Sequence, residues 1–189
     1  MNKISKFLSV ILVLILGFSL WRTPVATAPK QIPAQTASVQ VSTVSSVQEK
    51  PNFVEVKRVI DGDTIDVLEN GRTIRVRLIG INAPESVDPR KPVECFGSEA
   101  SRKLKDILPA GTQVRLEADS SQDAQDKYGR TLAYVFLPDG TDINELMVAE
   151  GFAREYTYRK PYKFQKKFKD AQASARVASR GLFAPGACI

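Results

Sequence analysis

Apolar and polar residues alternate along three consecutive stretches of the chain, 53–57, 65–67 and 74–78. An Asp-Gly pair separates the first two stretches, and Asn70-Gly71 separates the second from the third. Alternation with period two is typical of half-buried strands, and Asn-Gly favours a two-residue hairpin turn. The pattern therefore predicts three short antiparallel strands in succession.

Two further strands are expected in the second half of the chain. Residues 113–117 alternate, whereas 131–137 form a nearly continuous apolar run of the kind that a buried central strand shows. The polar stretch between them, 118–127, is expected to be a loop.

Helical spacing of apolar residues appears in three places. The first predicted helix spans 98–108, and the second opens at Asp142, three residues before Glu145 in a capping-box arrangement, and ends at Gly151. The third spans 161–179, with lysines opposite its apolar face. That face consists of Phe164, Phe168, Ala171, Ala175 and Ala178. Five strands and three helices predict an α+β domain: a small β-barrel with helices packed on it.

The N-terminal residues predict export. Lys3 and Lys6 precede an apolar run over 7–21, and an Ala-x-Ala site ends at Ala28, as in a secretory signal peptide. We interpret 1–28 as a signal peptide or a retained N-terminal anchor, and the sequence is compatible with both. Residues 29–52 are rich in Pro, Gln, Ser and Thr and are expected to be a flexible linker, and residues 53–189 are expected to be the domain. The expected location is secreted or tethered to the cell envelope.

The amino-acid composition limits the kinds of catalysis and of metal site that the chain can support. The 189 residues include no histidine and two cysteines, which excludes imidazole-based catalysis and a four-ligand structural zinc site. Any metal should therefore be a hard cation with oxygen ligands, such as calcium or magnesium. Without residues 1–28 the chain has 24 basic and 21 acidic residues, but nine of those bases and only two acids lie from residue 151 onwards.

More polar side chains than a barrel needs for folding occur in three segments, 59–67, 75–85 and 126–136. Each alone is compatible with an ordinary turn or hairpin corner. Together they supply what cleavage of a phosphodiester without histidine needs, namely oxygen ligands, a carboxylate to activate water, and fixed cations. The side chains that meet these needs are Asp63, Asn82, Glu85, Arg77 and Arg130.

These motifs resemble the staphylococcal nuclease (thermonuclease) family. IDGDT, RLIGINAPE, KYGRTLAYVF and INELMVAEGFARE occur in the family's order over about 53–183. The resemblance implies an OB-fold five-stranded barrel with three helices. It also implies a calcium-dependent endonuclease that accepts DNA and RNA, prefers single-stranded substrate and leaves 3'-phosphate ends.

The resemblance also implies roles for individual residues. The implied calcium ligands are the Asp63 carboxylate, the Asn82 amide and the Ala83 carbonyl. The implied catalytic residues are Glu85 as general base, with Arg77 and Arg130 as the phosphate and transition-state cations. The implied substrate contacts are Lys127 and Tyr128 for phosphate, and Tyr156 and Tyr158 for the base.

The chain departs from the family's founding member in two respects. That protein has an aspartate where this chain has Asn82, so one carboxylate is missing from the implied calcium site. It also lacks cysteine, whereas this chain has Cys95 and Cys188. Because the chain is expected to be exported, we predict a Cys95–Cys188 disulfide, with two unpaired thiols as the alternative.

Two other functions remain open from the sequence. The chain could be a noncatalytic binding module on the same barrel, although Arg77, Glu85 and Arg130 are all present. It could also be a surface-anchored protein whose basic C-terminal helix binds acidic polymers or anionic lipid. No protein partner is evident from the sequence, and we expect a monomer.

Overall fold

The computed structural model describes residues 52–188. Its seven strands are β1 Phe53–Asp61, β2 Thr64–Glu69, β3 Arg72–Leu78, β4 Ile81–Asn82, β5 Gln113–Glu117, β6 Thr131–Phe136 and β7 Arg154–Glu155. Its three α-helices are α1 Gly97–Ile107, α2 Ile143–Ala149 and α3 Gln165–Val177, followed by a 3₁₀ turn over Gly181–Phe183. The predicted signal or anchor segment and all but the last residue of the predicted linker lie outside the described residues. No helix within 52–188 is long and apolar enough to cross a membrane.

Five strands close into a barrel in the order β1-β2-β3-β6-β5, with β5 pairing back to β1. The pairing of β3 with β6 is parallel, and the other four are antiparallel. Alternate residues of these strands fill the interior, where Val56, Ile65, Val67, Val76 and Val114 have no exposed surface. The predicted α+β class and five-stranded OB-fold barrel with three helices are confirmed.

Helix α2 joins the barrel through a buried amide. The Asp142 side chain caps the helix by accepting from the Glu145 N–H, as the capping pattern predicted. Two residues further on, Asn144 is fully buried; its Nδ2 donates to the Ile79 carbonyl and its Oδ1 accepts from the Val135 N–H. Asn144 therefore ties the residue that follows β3 to the adjacent strand β6.

Helix α3 begins later than its apolar pattern predicted. The expectation that helix extends from residue 161 was wrong because Tyr162 and Lys163 are held by partners elsewhere: the Tyr162 hydroxyl donates to the Gly80 carbonyl, and the Lys163 N–H donates to Asp119. The predicted apolar face is correct at Phe168, which is fully buried, but wrong at its C-terminal end, where Ala178 is exposed.

Two short strands that the alternation did not predict form a separate ladder. In it, β4 pairs antiparallel with β7, with Asn82 opposite Arg154, and the Tyr156 N–H donates to the Gly80 carbonyl. This ladder brings the segment before Tyr156 against the segment that leads to Glu85. The predicted disulfide is also present and joins Cys95 to Cys188.

Candidate active site

The turn between β1 and β2 packs closely against the residues that follow β4. A Cβ atom on Gly62 would lie 2.6 Å from the Ala83 Cβ and 2.8 Å from the Ala100 Cβ, so no side chain fits there. This close approach lets the Ala83 N–H donate to the Asp63 Oδ2 at 3.0 Å. Two of the three residues that would supply calcium ligands are thus in direct contact through the Ala83 N–H, and both are buried.

Arg77 lies between the implied ligands. Its Nη2 is 2.9 Å from the Asp63 Oδ2 and 3.3 Å from the Asn82 Oδ1, and its Nη1 donates to the carbonyls of Leu78 and Ile81. The Arg77 side chain is only 12% exposed. Four oxygen atoms therefore hold this side chain, and two of them belong to implied metal ligands.

The donors around Arg77 fit a hard cation. Asp63 and Asn82 lie close enough to share one cationic nitrogen, and carboxylate, amide and carbonyl oxygens are what calcium and magnesium prefer. The charge of the set is low, since within 52–188 no three Asp, Glu or Cys side chains come together in a metal-binding arrangement. The set thus offers one carboxylate, one amide and the Ala83 carbonyl, and water and a substrate phosphate would have to supply the other ligands.

Glu85 follows directly on this cluster and is half-buried. Its Oε1 accepts from the N–H groups of Val87 at 2.8 Å and Asp88 at 3.0 Å. Partial burial raises the pKa of Glu85, but the bonds from Val87, Asp61 and Asp88 outweigh that effect and hold its pKa below the ordinary value. Glu85 is therefore ionised at neutral pH, as a proton acceptor must be.

Asp61 is a buried neighbour of Glu85 to which the sequence assigned no role. Its Oδ1 accepts from the Ser86 hydroxyl at 2.6 Å and from the Gly62 N–H at 2.8 Å. Burial raises the pKa of Asp61, and the negative charges of Asp63 and Glu85 raise it further, while those two hydrogen bonds act against the shift. The two carboxyls, Asp61 and Glu85, thus have pKa values displaced in opposite directions.

Arg130 lies in the turn that immediately precedes β6. It pairs with the Asp126 Oδ2 at 2.6 Å, and its guanidinium carbon lies 5.5 Å from the centre of the Tyr128 ring. Parallel pairing of β3 with β6 sets Arg77 opposite Leu132, so Arg130 precedes the strand adjacent to the one that carries Arg77. Among residues 52–188, however, no hydrogen bond or ion pair joins Arg130 to Asp63, Arg77 or Glu85.

The implied substrate residues form an exposed aromatic and basic group. The Lys127 Nζ lies 4.9 Å from the Tyr128 ring centre, and the rings of Tyr156 and Tyr158 are 6.3 Å apart. Tyr128 is 72% exposed, and both other tyrosines are also exposed. Tyr128 raises the pKa of Lys127, and Tyr158 makes a smaller contribution in the same direction.

Sequence reasoning missed the role of Asp126. This carboxylate accepts from the N–H groups of Tyr128 and Arg130 as well as from the Arg130 side chain, and so shapes the whole turn. An Asp four residues before an Arg in a polar turn was a visible signal of it. The pairing of Arg77 with Asp63, in contrast, joins β3 to the turn between β1 and β2 and had no signal in the local pattern.

Comparison with protein families matches residues 75–184 to a model described as staphylococcal nuclease homologue. The matched region contains every implied site residue except Asp63 and Cys188, which flank it.

Comparison with known proteins identifies similar bacterial chains, among them two thermonucleases and one endonuclease. The thermonuclease of Staphylococcus hyicus is 43% identical over 130 residues, which cover 68% of this chain and 74% of the relative. The thermonuclease of Staphylococcus intermedius is 46% identical over 132 residues, covering 70% and 76%. Endonuclease YncB of Bacillus subtilis is 38% identical over 133 residues, covering 70% and 62%.

Proposed function

This chain belongs to the staphylococcal nuclease homologue family and is a nuclease, and from that premise we propose that it is a calcium-dependent, sugar-nonspecific endonuclease. In this proposal it acts as a monomer on DNA and RNA, prefers single strands and leaves 3'-phosphate ends. It is exported and is either secreted or tethered to the cell envelope.

One observation carries the proposal. The carboxylate of Asp63, the amide of Asn82 and the guanidinium of Arg77 converge within hydrogen-bonding distance, and Glu85 lies three residues further along the chain. An anion-binding cation, hard oxygen donors and an ionised carboxylate in one place are the components of phosphodiester hydrolysis without histidine. A barrel that only bound nucleic acid would not need an ionised carboxylate there, since it repels phosphate.

Hydrolysis assigns a separate task to each group. Glu85 accepts a proton from water as the water oxygen attacks phosphorus, and the bond from phosphorus to the 5' oxygen breaks, which leaves the phosphate on the 3' oxygen. The departing 5' oxygen takes up a proton from solvent, and Glu85 returns its proton to solvent. Arg77 and Arg130 stabilise the negative charge that gathers on the phosphate oxygens. A hard cation on Asp63, Asn82 and the Ala83 carbonyl would supply further charge stabilisation when bound.

Arg77 must change partners to act on phosphate. In this structure its guanidinium is bound by Asp63 and Asn82 and is mostly shielded from solvent. A cation that takes those oxygens would free the Nη2 group of Arg77 for contact with phosphate, while Nη1 stays on the carbonyls of Leu78 and Ile81. Cation and substrate are therefore expected to bind cooperatively.

The exposed tyrosines support a preference for single strands. Tyr128, Tyr156 and Tyr158 present aromatic surface to solvent beside Lys127. Bases stack on such rings only when they are free of a partner strand, and stacking tolerates any base. Nothing in this group selects deoxyribose over ribose.

The test is cleavage of a supercoiled plasmid and of a single-stranded RNA, each with calcium and with excess chelator. Wild-type protein should cut both only with calcium, and Glu85→Gln should lose about 10² to 10⁴ of the rate. Glu99→Gln is the matched control because it removes an exposed carboxylate from the first turn of α1. Binding without cleavage by the wild type would favour the noncatalytic module, and a Glu85→Gln rate equal to that of the control would refute Glu85 as the base. Mass spectrometry of the mature N-terminus tests export and cleavage of the signal.

A further inference from the structure

An exposed loop begins directly after Ser86 and has no hydrogen bond of its own to the barrel. Within the described chain, residues 87–93 bond only among themselves and to Glu85, whose carboxylate accepts from Val87 and Asp88. The remaining loop bonds run from Arg90 and Lys91 to Asp88. The groups that hold the two ends of this loop therefore decide where Glu85 lies.

Glu94 closes the loop by binding both polar groups of the Glu85 main chain. The Glu94 N–H donates to the Glu85 carbonyl at 2.8 Å, and the Glu94 Oε2 accepts from the Glu85 N–H at 3.1 Å. The second bond is charge-assisted, and such bonds are stronger than those between neutral groups. Glu94 thus holds both the main-chain N–H and the main-chain carbonyl of Glu85.

The start of α1 leaves the Glu85 main chain no room to shift. A Cβ on Gly97 would lie 2.6 Å from the Glu85 carbonyl oxygen, and the Gly97 N–H donates to the Glu94 carbonyl. Phe96, which lies between Glu94 and Gly97 in the sequence, has a φ of +70°, a left-handed conformation that is an outlier for a bulky residue. The centre of its ring is 5.5 Å from that of the Phe152 ring. The surroundings therefore impose one conformation on the turn after Glu94.

A covalent bond holds the same turn. Cys95 directly follows Glu94 and is bonded to Cys188, so the turn is attached to the C-terminal segment of the domain. Cys188 is 93 residues from Cys95 in sequence and lies outside the exposed loop. The disulfide therefore holds the turn in place without any contribution from the loop.

We propose that Glu94 is a positioning residue for Glu85, and that the Cys95–Cys188 disulfide anchors Glu94 for this task. The inference rests on the proposed function, in which Glu85 accepts a proton from the attacking water. A misplacement of about 1 Å costs up to about 10²-fold in rate, so loss of the acceptor oxygen of the Glu94 side chain should lower kcat rather than raise KM.

The first test compares Glu94→Ala, Glu94→Gln and the control Glu99→Ala, at a temperature well below the thermal midpoint of each. Glu94→Ala should lower kcat by about 10- to 100-fold with KM changed less than about twofold. Glu94→Gln should retain most of kcat because its amide oxygen still accepts from the Glu85 N–H, and Glu99→Ala should behave as wild type. Amide hydrogen exchange by NMR should be faster at Glu85 in Glu94→Ala alone.

The second test repeats Glu94→Ala, and separately Cys95→Ser with Cys188→Ser, in a Glu85→Gln background. If Glu94 acts through the Glu85 carboxylate, Glu94→Ala should not lower kcat further once that carboxylate has been removed. A general structural defect would instead lower kcat equally in both backgrounds. Equal losses, or a wild-type kcat for Glu94→Ala, would overturn the role of Glu94, and a wild-type kcat for the serine pair would overturn its anchoring by the disulfide. Near wild-type turnover of Glu85→Gln itself would instead refute the proposed function and this inference with it.

Discussion

The Asp63 carboxylate pairs with the Arg77 guanidinium at 2.9 Å, although one is the implied metal ligand and the other the implied phosphate ligand. Both side chains are about nine-tenths buried, so each is the main charge partner of the other in the absence of a cation. A cation and a guanidinium that share one carboxylate oxygen compete for it, and this competition links calcium binding to the freedom of Arg77.

Replacing Arg77 should therefore strengthen the effect of calcium on stability. Arg77→Gln leaves Asp63 buried without its cation, which should lower the free energy of unfolding by about 3 kcal/mol without calcium. Calcium then binds Asp63 without displacing a guanidinium, so saturating calcium should raise the thermal midpoint more than in wild type.

Calorimetry with and without calcium measures this difference. Arg130→Gln is the matched control, since the partner of Arg130 is Asp126, which is not an implied ligand. An equal calcium-induced rise in both variants would show that Arg77 does not compete with the cation.

The amide at residue 82 should weaken calcium binding. Asn82→Asp restores a negative charge, and two unit charges about 4 Å apart interact by at most about 4 kcal/mol at an effective dielectric constant near 20. Desolvation and repulsion from Asp61, Asp63 and Glu85 reduce that gain, so we expect the calcium midpoint to fall by about tenfold, or 1.4 kcal/mol. Turnover at saturating calcium should change little.

Titration of the thermal midpoint and of activity against free calcium provides the measurement. Asn70→Asp adds the same charge at the β2–β3 turn, where Asn70 has a left-handed φ of 50° that aspartate tolerates. A midpoint for Asn82→Asp that matches this control would mean that residue 82 is not a ligand.

The disulfide should contribute to stability as well as to positioning. Cys95 and Cys188 close a loop with a sequence separation of 93, for which chain entropy predicts up to about 4.7 kcal/mol. Replacing both cysteines by serine should lower the urea midpoint of unfolding without abolishing the fold. Alkylation of the unreduced protein should label no thiol, and labelling of two thiols would contradict the bond.

Acid should destabilise the fold through Asp119. Burial raises the pKa of this carboxyl, but bonds from the Lys163 N–H, the Tyr134 hydroxyl and Ser121 lower it to about 2, from an ordinary value of 3.8. Because the folded-state pKa is the lower one, the stabilisation is complete above about pH 4 and is lost as the pH falls through about 2. Asp119→Asn should therefore cost on the order of 2 kcal/mol at pH 7.

Urea unfolding from pH 7 to pH 2 tests this dependence. The curves of wild type and Asp119→Asn should converge at the acid end, because a protonated carboxyl no longer differs in charge from an amide. Asp123→Asn, whose side chain is 77% exposed in the same loop, serves as control. A difference between wild type and Asp119→Asn that stayed constant across the range would assign the effect to shape rather than charge.

Tyr158 should contribute to substrate binding by stacking. Tyr158→Ala removes an exposed ring beside Tyr156, and stacking of a base on such a ring is worth about 1–3 kcal/mol. KM for single-stranded DNA should therefore rise by about 5- to 150-fold, whereas Tyr158→Phe keeps the ring and should stay near wild type. Equal KM values for the alanine and phenylalanine variants would exclude stacking at this position.

The sequence alone determined the barrel strands and the composition of the site. Period-two alternation placed β1 and β3, which each have one mostly buried face, and also β2, where residues 64–67 are all buried but the apolar and polar residues still alternate. The Asp142 cap marked α2 because capping involves residues only three apart. The absence of histidine excluded imidazole-based catalysis and histidine metal ligands. These are local or compositional properties, which a linear pattern records.

The arrangement of those groups depends on how the elements of the fold pack together. The start of α3, the β4–β7 ladder and the contact of Glu94 with Glu85 depend on partners that are distant in sequence or lie across a turn. The Asp63–Arg77 pair depends on the register of β2 against β3, where Thr64 lies opposite Arg77. Such contacts leave no periodic trace in the chain, because each is set by the packing of elements against one another and not by the residues within one element.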